Sequence, residues 1–140
     1  MSLRFLLDTN VLSEATKAQP NVLVMAQLKR HAAEAATAAP SWNELWFGAH
    51  RLPVSEKRKK IESYLAGLAS SGFPVLAYDA QAAEWHAAER ARLTRLGRTP
   101  GFIDGQIAAV AAVHDLVLIT ANVADFRAFE GLRVEDWSTA

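Results

Sequence analysis

Four acidic side chains lie beside short apolar runs of the kind that form buried parallel strands. They are Asp8, Glu44, Asp104 and Asp125. Asp8 directly follows the run 3–7, and Asp125 comes just after the run 116–120. In open sheets of parallel strands, ligands bind at the carboxyl ends of the strands. We therefore expect these carboxylates to converge at one edge of a sheet, although they are far apart in the chain.

Carboxylates that are forced together repel one another, and their pKa values rise unless a cation neutralises them. A hard divalent ion fits such a cluster, because Mg²⁺ and Mn²⁺ take oxygen ligands and keep several waters, which leaves room for a phosphate. The chemistry that follows is metal-assisted attack of water on a phosphodiester. A zinc site is disfavoured, since the chain has no cysteine and its four histidines are scattered over different predicted helices.

Each acid also has a structural interpretation. Ser41 and Glu44 have the spacing of a capping box at the start of a helix. Asp104 falls in the first turn of a predicted helix, where a carboxylate complements the helix dipole. Asp125 can equally belong to a turn. Asp8 ends a buried strand and has no evident local structural role, so we interpret it as functional.

The elements that must position the acids alternate along the chain. Strands are predicted at 3–7, 35–39, 73–78, 116–120 and 132–134, and helices at 10–17, 21–33, 40–51, 53–70, 80–96, 102–114 and 122–129. The small residues of 35–39 are also compatible with a helix, and Pro74 suits an edge strand. The alternation predicts a three-layer α/β/α fold around a central, mainly parallel sheet of four to five strands.

Length and composition are those of one globular domain. The chain has 140 residues, 51% of them hydrophobic, and its 15 basic residues balance 15 acidic ones. A neutral chain indicates no partner by bulk charge, and the lack of cysteine excludes disulfides. No apolar run approaches the roughly 18 residues of a membrane span. We expect a single cytoplasmic domain over residues 1–140 with no membrane segment.

Four motifs resemble, in order and over nearly the whole chain, those of PIN-domain ribonucleases, specifically the VapC/FitB-type toxins of bacterial toxin–antitoxin pairs. The motifs are LDTNVLSE at 7–14, SWNEL at 41–45 with Gly48, GFIDGQIAA at 101–109, and TAN at 120–122 with Asp125-Phe126. Gln19-Pro20-Asn21 and Trp137 are similar to the FitB branch.

The resemblance implies a PIN-like fold and a Mg²⁺- or Mn²⁺-dependent endoribonuclease that acts as a toxin. By this likeness Asp8, Glu44 and Asp104 match the invariant acids, Thr9 matches a hydroxyl that orients the cluster, and Asn10 matches a polar neighbour of the first acid. The family often carries Asp where this chain has Asn122. Asn122 or Asp125 is therefore the candidate fourth metal ligand.

The same resemblance implies three partners: an RNA substrate, a small antitoxin with a DNA-binding domain that blocks the site, and a second copy of the chain in a homodimer. By analogy, the helices at 21–33 and 53–70 are candidate antitoxin surfaces. Arg95 and Arg98 lead into the loop 97–101 beside Asp104, and we expect them to contact the RNA backbone. The basic run 57–60 is expected to be a solvated helix face.

Two alternatives remain open from the sequence. A haloacid-dehalogenase-like phosphatase also places an Asp after its first strand, but it would want Asp where Asn10 stands and Thr where Leu12 stands. The second alternative is a PIN-like module that binds a partner and cleaves nothing.

Overall fold

The computed structural model describes residues 2–139, and its centre is a five-stranded sheet. The strands are β1 (Phe5–Leu7), β2 (Ala35–Ala38), β3 (Val75–Leu76), β4 (Val117–Ile119) and β5 (Val134–Glu135), arranged in the order β3-β2-β1-β4-β5. Every neighbouring pair is parallel, with Leu6 of β1 level with Ala36 and Leu118. The predicted α/β fold with a parallel sheet is confirmed.

Seven α-helices connect the strands in the described part of the chain. They are α1 (Thr9–Ser13), α2 (Val22–Arg30), α3 (Ala39–His50), α4 (Glu56–Ser70), α5 (Ala80–Arg95), α6 (Phe102–Val113) and α7 (Val123–Phe126), with short 3₁₀ turns at Glu14–Thr16 and Ala32–Glu34. Asn21, Ser55 and Asp79 cap α2, α4 and α5 with side-chain oxygens. Among residues 2–139, no helix has the length and apolar character needed to cross a bilayer.

Alternate residues of β1 face two separate cores, which makes the fold three-layered. Leu6 packs in one buried cluster with residues of α5, α6 and α7. Phe5 and Leu7 pack in the other cluster with residues of α1, α2, α3 and α4. β1 is buried on both faces and has a neighbouring strand on each side. The position of its carboxyl end, which Asp8 follows directly, is therefore well defined.

Two sequence predictions needed correction. The helical alternative for residues 35–39 is wrong, since Ala35–Ala38 lies between β1 and β3 as a fully buried strand. The strand predicted at 73–78 is reduced to Val75–Leu76 at the sheet edge, where it follows Pro74. Proline has no backbone N–H to donate, although the Pro74 carbonyl still accepts from the amide of Thr37 at 3.0 Å.

Candidate active site

Asp8 is the most firmly held side chain of the site. It lies directly after the central strand and is 6% exposed. Its Oδ1 accepts from the backbone N–H of Thr9 at 2.8 Å, and its Oδ2 accepts from the hydroxyl of Thr120 at 2.8 Å. The prediction that Asp8 has no local structural role is wrong, because it is also the N-cap residue of α1. Capping fixes its carboxylate at the carboxyl edge of the sheet.

Thr9 links two of the acids. Its backbone N–H binds Asp8, while its hydroxyl donates to Oε1 of Glu44 at 2.8 Å. The two carboxylates come from α3 and from the junction of β1 with α1, and one threonine holds both. This contact agrees with the orienting role that the sequence resemblance implies for Thr9.

Glu44 does not close a capping box. Helix α3 begins at Ala39 with Pro40 in its first turn, and its N-cap residue, Ala38, makes no side-chain cap. Ser41 therefore lies inside the helix, buried, with no hydrogen-bond partner for its hydroxyl among residues 2–139. The structural interpretation of Glu44 fails, and its carboxylate is free to face Thr9.

Asp104 brings the third acid to the cluster from the first turn of α6. Its carboxylate lies against Gly101, at whose Cβ position the nearest atom would be Oδ2 of Asp104, 3.4 Å away. Partial burial, followed by repulsion from Asp8, Asp125 and Glu44, raises the pKa of Asp104 to about 6. Three of the acids predicted to converge therefore lie within electrostatic reach of Asp104.

Burial is also the main cause that raises the pKa of Asp8. Hydrogen bonds from Thr120 and Thr9 oppose that rise, and repulsion from Glu44 and Asp125 adds to it. Asp125 is exposed on α7. None of the four acids forms an ion pair with a basic side chain of residues 2–139. The cluster thus holds excess negative charge that the described chain does not neutralise.

Polar residues that follow β4 form hydrogen bonds with this edge of the site. Asn10 accepts from the backbone N–H of Ala121 at 3.2 Å, so that it ties α1 to the segment after β4. The hydroxyl of Thr120 donates to Asp8 and accepts from the backbone N–H of Asn122 at 3.0 Å. The side chain of Asn122 is exposed and does not cap α7. Sequence analysis assigned no role to Thr120. The feature that could have identified it is a hydroxyl residue at the end of the predicted strand 116–120.

His86 is a second residue that sequence analysis missed. It is 2% exposed on α5, and its Nδ1 lies 2.8 Å from the hydroxyl of Tyr78. Its Nε2 has no partner among the described residues and packs against Gly105, where a Cβ atom would collide with it. Gly105 follows Asp104 directly, so this contact fixes how closely the turn that carries Asp104 approaches α5.

Arg95 and Arg98 are both exposed. Arg95 lines a shallow depression of about 580 Å³ with Arg90, Thr94 and Thr99. None of the four acids lines that depression. Arg95 and the acids therefore do not share that depression.

The donors of the cluster suit a hard divalent cation by their chemistry, since they are carboxylate oxygens whose mutual repulsion a cation would relieve. As placed, residues 2–139 contain no group of three or more His, Asp or Glu side chains that could hold a metal ion. The acids are gathered at one edge, but the structure does not show them in ligand geometry.

Comparison with known proteins assigns this chain to a family. The PIN domain model matches residues 5–132. A tRNA(fMet)-specific endonuclease VapC of Shigella flexneri is 34% identical over 137 residues, which cover 97% of this chain and 99% of the relative. FitAcB from Neisseria gonorrhoeae superposes with a TM-score of 0.88 at 29% identity, covering 97% of this chain and 99% of the other. DNA-bound VapBC from Salmonella typhimurium gives 0.84 at 31% identity, over 96% and 98% of the two chains. The chain belongs to the PIN-domain family, in its VapC group.

Proposed function

We propose that this protein is a metal-dependent endoribonuclease that acts in the cytoplasm as the toxin of a toxin–antitoxin pair. One observation carries the proposal: Asp8, Glu44 and Asp104 come from three distant segments to one sheet edge, where they repel one another without a counter-cation. The names of the relatives, an endonuclease and toxin–antitoxin complexes, support the same activity.

Asp8, Glu44 and Asp104 would hold a Mg²⁺ or Mn²⁺ ion, and Asp125 is the better candidate for a fourth oxygen ligand. Asp125 is a carboxylate whose charge raises the pKa of both Asp8 and Asp104, whereas Asn122 offers only a neutral amide oxygen to a hard cation. When bound, the ion would supply activation of water for attack on a phosphodiester. Asp8 anchors the cluster through its two threonine hydrogen bonds.

Cleavage assays with structured and single-stranded RNAs test this function. We expect cleavage with Mg²⁺ or Mn²⁺, none after a chelator, and none by Asp8→Asn, whose melting temperature serves as the control for folding. Metal binding without cleavage of any RNA would instead favour a partner-binding module. Release of phosphate from small phosphomonoesters would favour a phosphatase.

Arg95 and Arg98 contact the RNA backbone in this proposal, outside the cleavage centre. Both are exposed, and Arg95 shares its depression with Arg90, which concentrates positive charge at the end of α5. Phosphate contacts weaken with salt, so Arg98→Ala should weaken RNA binding and reduce its salt dependence. Unchanged binding would remove these arginines from the RNA path.

The partner we propose is a small antitoxin with a DNA-binding domain, bound to a homodimer of this chain. An apolar cavity of about 270 Å³ between α2 and α4, lined by Met25, Leu28 and Leu68, gives the antitoxin a surface to bury. Co-expression with the product of a neighbouring reading frame, followed by light scattering, tests both the complex and the dimer. Rescue from growth arrest by that product is the expected biological result.

A further inference from the structure

A groove leads away from the acid cluster between α1, α3 and α4. Its first part is a cavity of about 300 Å³ that is lined by Thr9 and Glu44 and also by Arg51 and Lys57. Most of the lining surface is apolar and includes Ile61, and we call this apolar part the floor. We call this feature the α3–α4 groove.

The groove continues beyond Lys57. A second depression of about 630 Å³ shares Ser13, Thr16 and Lys57 with the first and extends to Lys60. The two cavities adjoin at these three shared residues, and together their linings extend from Glu44 to Lys60. Glu56 also lines the second depression, where it pairs with Lys59.

Two of the four basic residues at 57–60 line the groove, and the other two do not. Lys57 and Lys60 line the groove, are exposed, and form no ion pair among residues 2–139. Arg58 pairs with Glu62 at 3.5 Å, and Lys59 pairs with Glu56 at 3.7 Å. Residues three apart on a helix share a face, so Lys57 and Lys60 act together there. Both lysines are exposed, as expected for a solvated helix face, and they also line the groove.

A neutral chain with an unneutralised acid cluster repels the polyanion that it must cleave, so local positive charge is needed where the RNA approaches. The α3–α4 groove supplies that charge on a path that ends at Glu44. Its apolar floor also suits unstacked bases, which single-stranded RNA presents and a duplex keeps stacked inside. The depression beside Arg95 reaches none of the acids.

We infer that the α3–α4 groove binds the single-stranded RNA segment next to the cleaved phosphodiester, with Lys57 and Lys60 on its phosphates and the floor under its bases. This inference rests on the proposed ribonuclease function and adds to it the path that the RNA takes across the protein.

The lysines are tested by the double variant Lys57→Gln/Lys60→Gln, with Lys59→Gln as the matched control from the same helix turn. Binding of single-stranded and duplex RNA is measured with a chelator present, at salt concentrations from about 50 to 200 mM. Each phosphate contact to a single strand adds about 0.7 to the salt slope. Losing two contacts should therefore reduce the salt-induced change in affinity over this range by about sevenfold.

The floor is tested by Gly48→Leu, with Gly67→Leu as its control. A Cβ atom at either glycine meets nothing within 4 Å, and both lie inside helices, so each replacement should leave the protein folded at equal or higher stability. Only Gly48 lines the groove. We expect Gly48→Leu to lower the affinity for single-stranded RNA about tenfold or more, which is the loss expected when one base no longer packs in the groove.

The inference is overturned if the double lysine variant binds single-stranded RNA like Lys59→Gln, or if Gly48→Leu binds it like Gly67→Leu. Equal losses for duplex RNA would overturn the single-strand assignment. Unchanged RNA binding with weaker antitoxin binding would make the groove a protein-binding surface instead. Failure of the proposed ribonuclease function gives a result that differs from failure of the groove inference. In that case the wild-type protein cleaves no RNA with Mn²⁺, whatever RNA the groove variants bind.

Discussion

Replacing Asp104 by asparagine should stabilise the metal-free protein at neutral pH. Burial and three neighbouring carboxylates raise the pKa of Asp104 from 3.8 to about 6, which corresponds to at most about 3 kcal/mol of destabilisation. The side chain is partly exposed, so solvent screening reduces this penalty to about 1–2 kcal/mol. Asparagine also loses the favourable interaction with the dipole of α6, worth about 0.3–1 kcal/mol. The expected net gain is about 1 kcal/mol, or about 3 °C in melting temperature.

The sign of the pH dependence follows from the raised pKa. Between about pH 4 and pH 6 the folded protein holds a proton at Asp104 that the unfolded chain has released, so wild-type stability falls as the pH rises through this window. The penalty is absent below about pH 4 and complete above about pH 6. Asp104→Asn removes it, so its advantage over wild type should appear between these values.

Urea unfolding with a chelator at pH 4, 5, 6 and 7.5 measures this effect. Glu84→Gln is the matched control, since Glu84 is an exposed carboxylate of α5 outside the cluster. If Asp104 only complements the helix dipole, its asparagine variant will be less stable than wild type at pH 7.5. That result, or a gain that does not change with pH, would refute the repulsion argument.

Other changes near the cluster have equally definite outcomes. Thr9→Val should lower cleavage about 10–100-fold, because Glu44 loses its hydrogen bond, while Thr9→Ser keeps the activity. Gly105→Ala should slow cleavage and cost about 1–3 kcal/mol in unfolding experiments through its collision with His86, and adding His86→Ala should restore part of the activity. Saturating Mn²⁺ at about 100 times its Kd should stabilise the protein by about 2.7 kcal/mol in thermal melts, and Asp8→Asn should abolish that gain.

The strands that carry the site were predictable because each is a short apolar run between helices. The run 3–7 places Asp8 correctly, since all three residues of β1 are apolar and buried and Asp8 follows them directly. The edge strands were less well predicted. β5 lies at Val134–Glu135 and not at 132–134, because an edge strand with one neighbour leaves a weaker apolar pattern.

The contacts that hold the acids could not be predicted, because they join residues that are distant in sequence. Thr9 meets Glu44 across 35 residues, and Thr120 meets Asp8 across 112. The local pattern around Glu44 even favoured a different partner, Ser41, at capping-box spacing. This capping box does not form, because Pro40 occupies the first turn of α3 and the helix therefore begins before Ser41.

Long-range packing also decides which basic residues share a cavity with the acids. Sequence proximity to Asp104 favoured Arg95 and Arg98 as RNA contacts, which stays a prediction, whereas the packing of α4 against α3 puts Lys57 and Glu44 on the wall of one cavity. A residue comes close to the site through the packing of its helix and not through its position in the sequence. The polar groups around an acid cluster are therefore identified from the order of strands in the sheet, and not from the sequence motif that carries the acid.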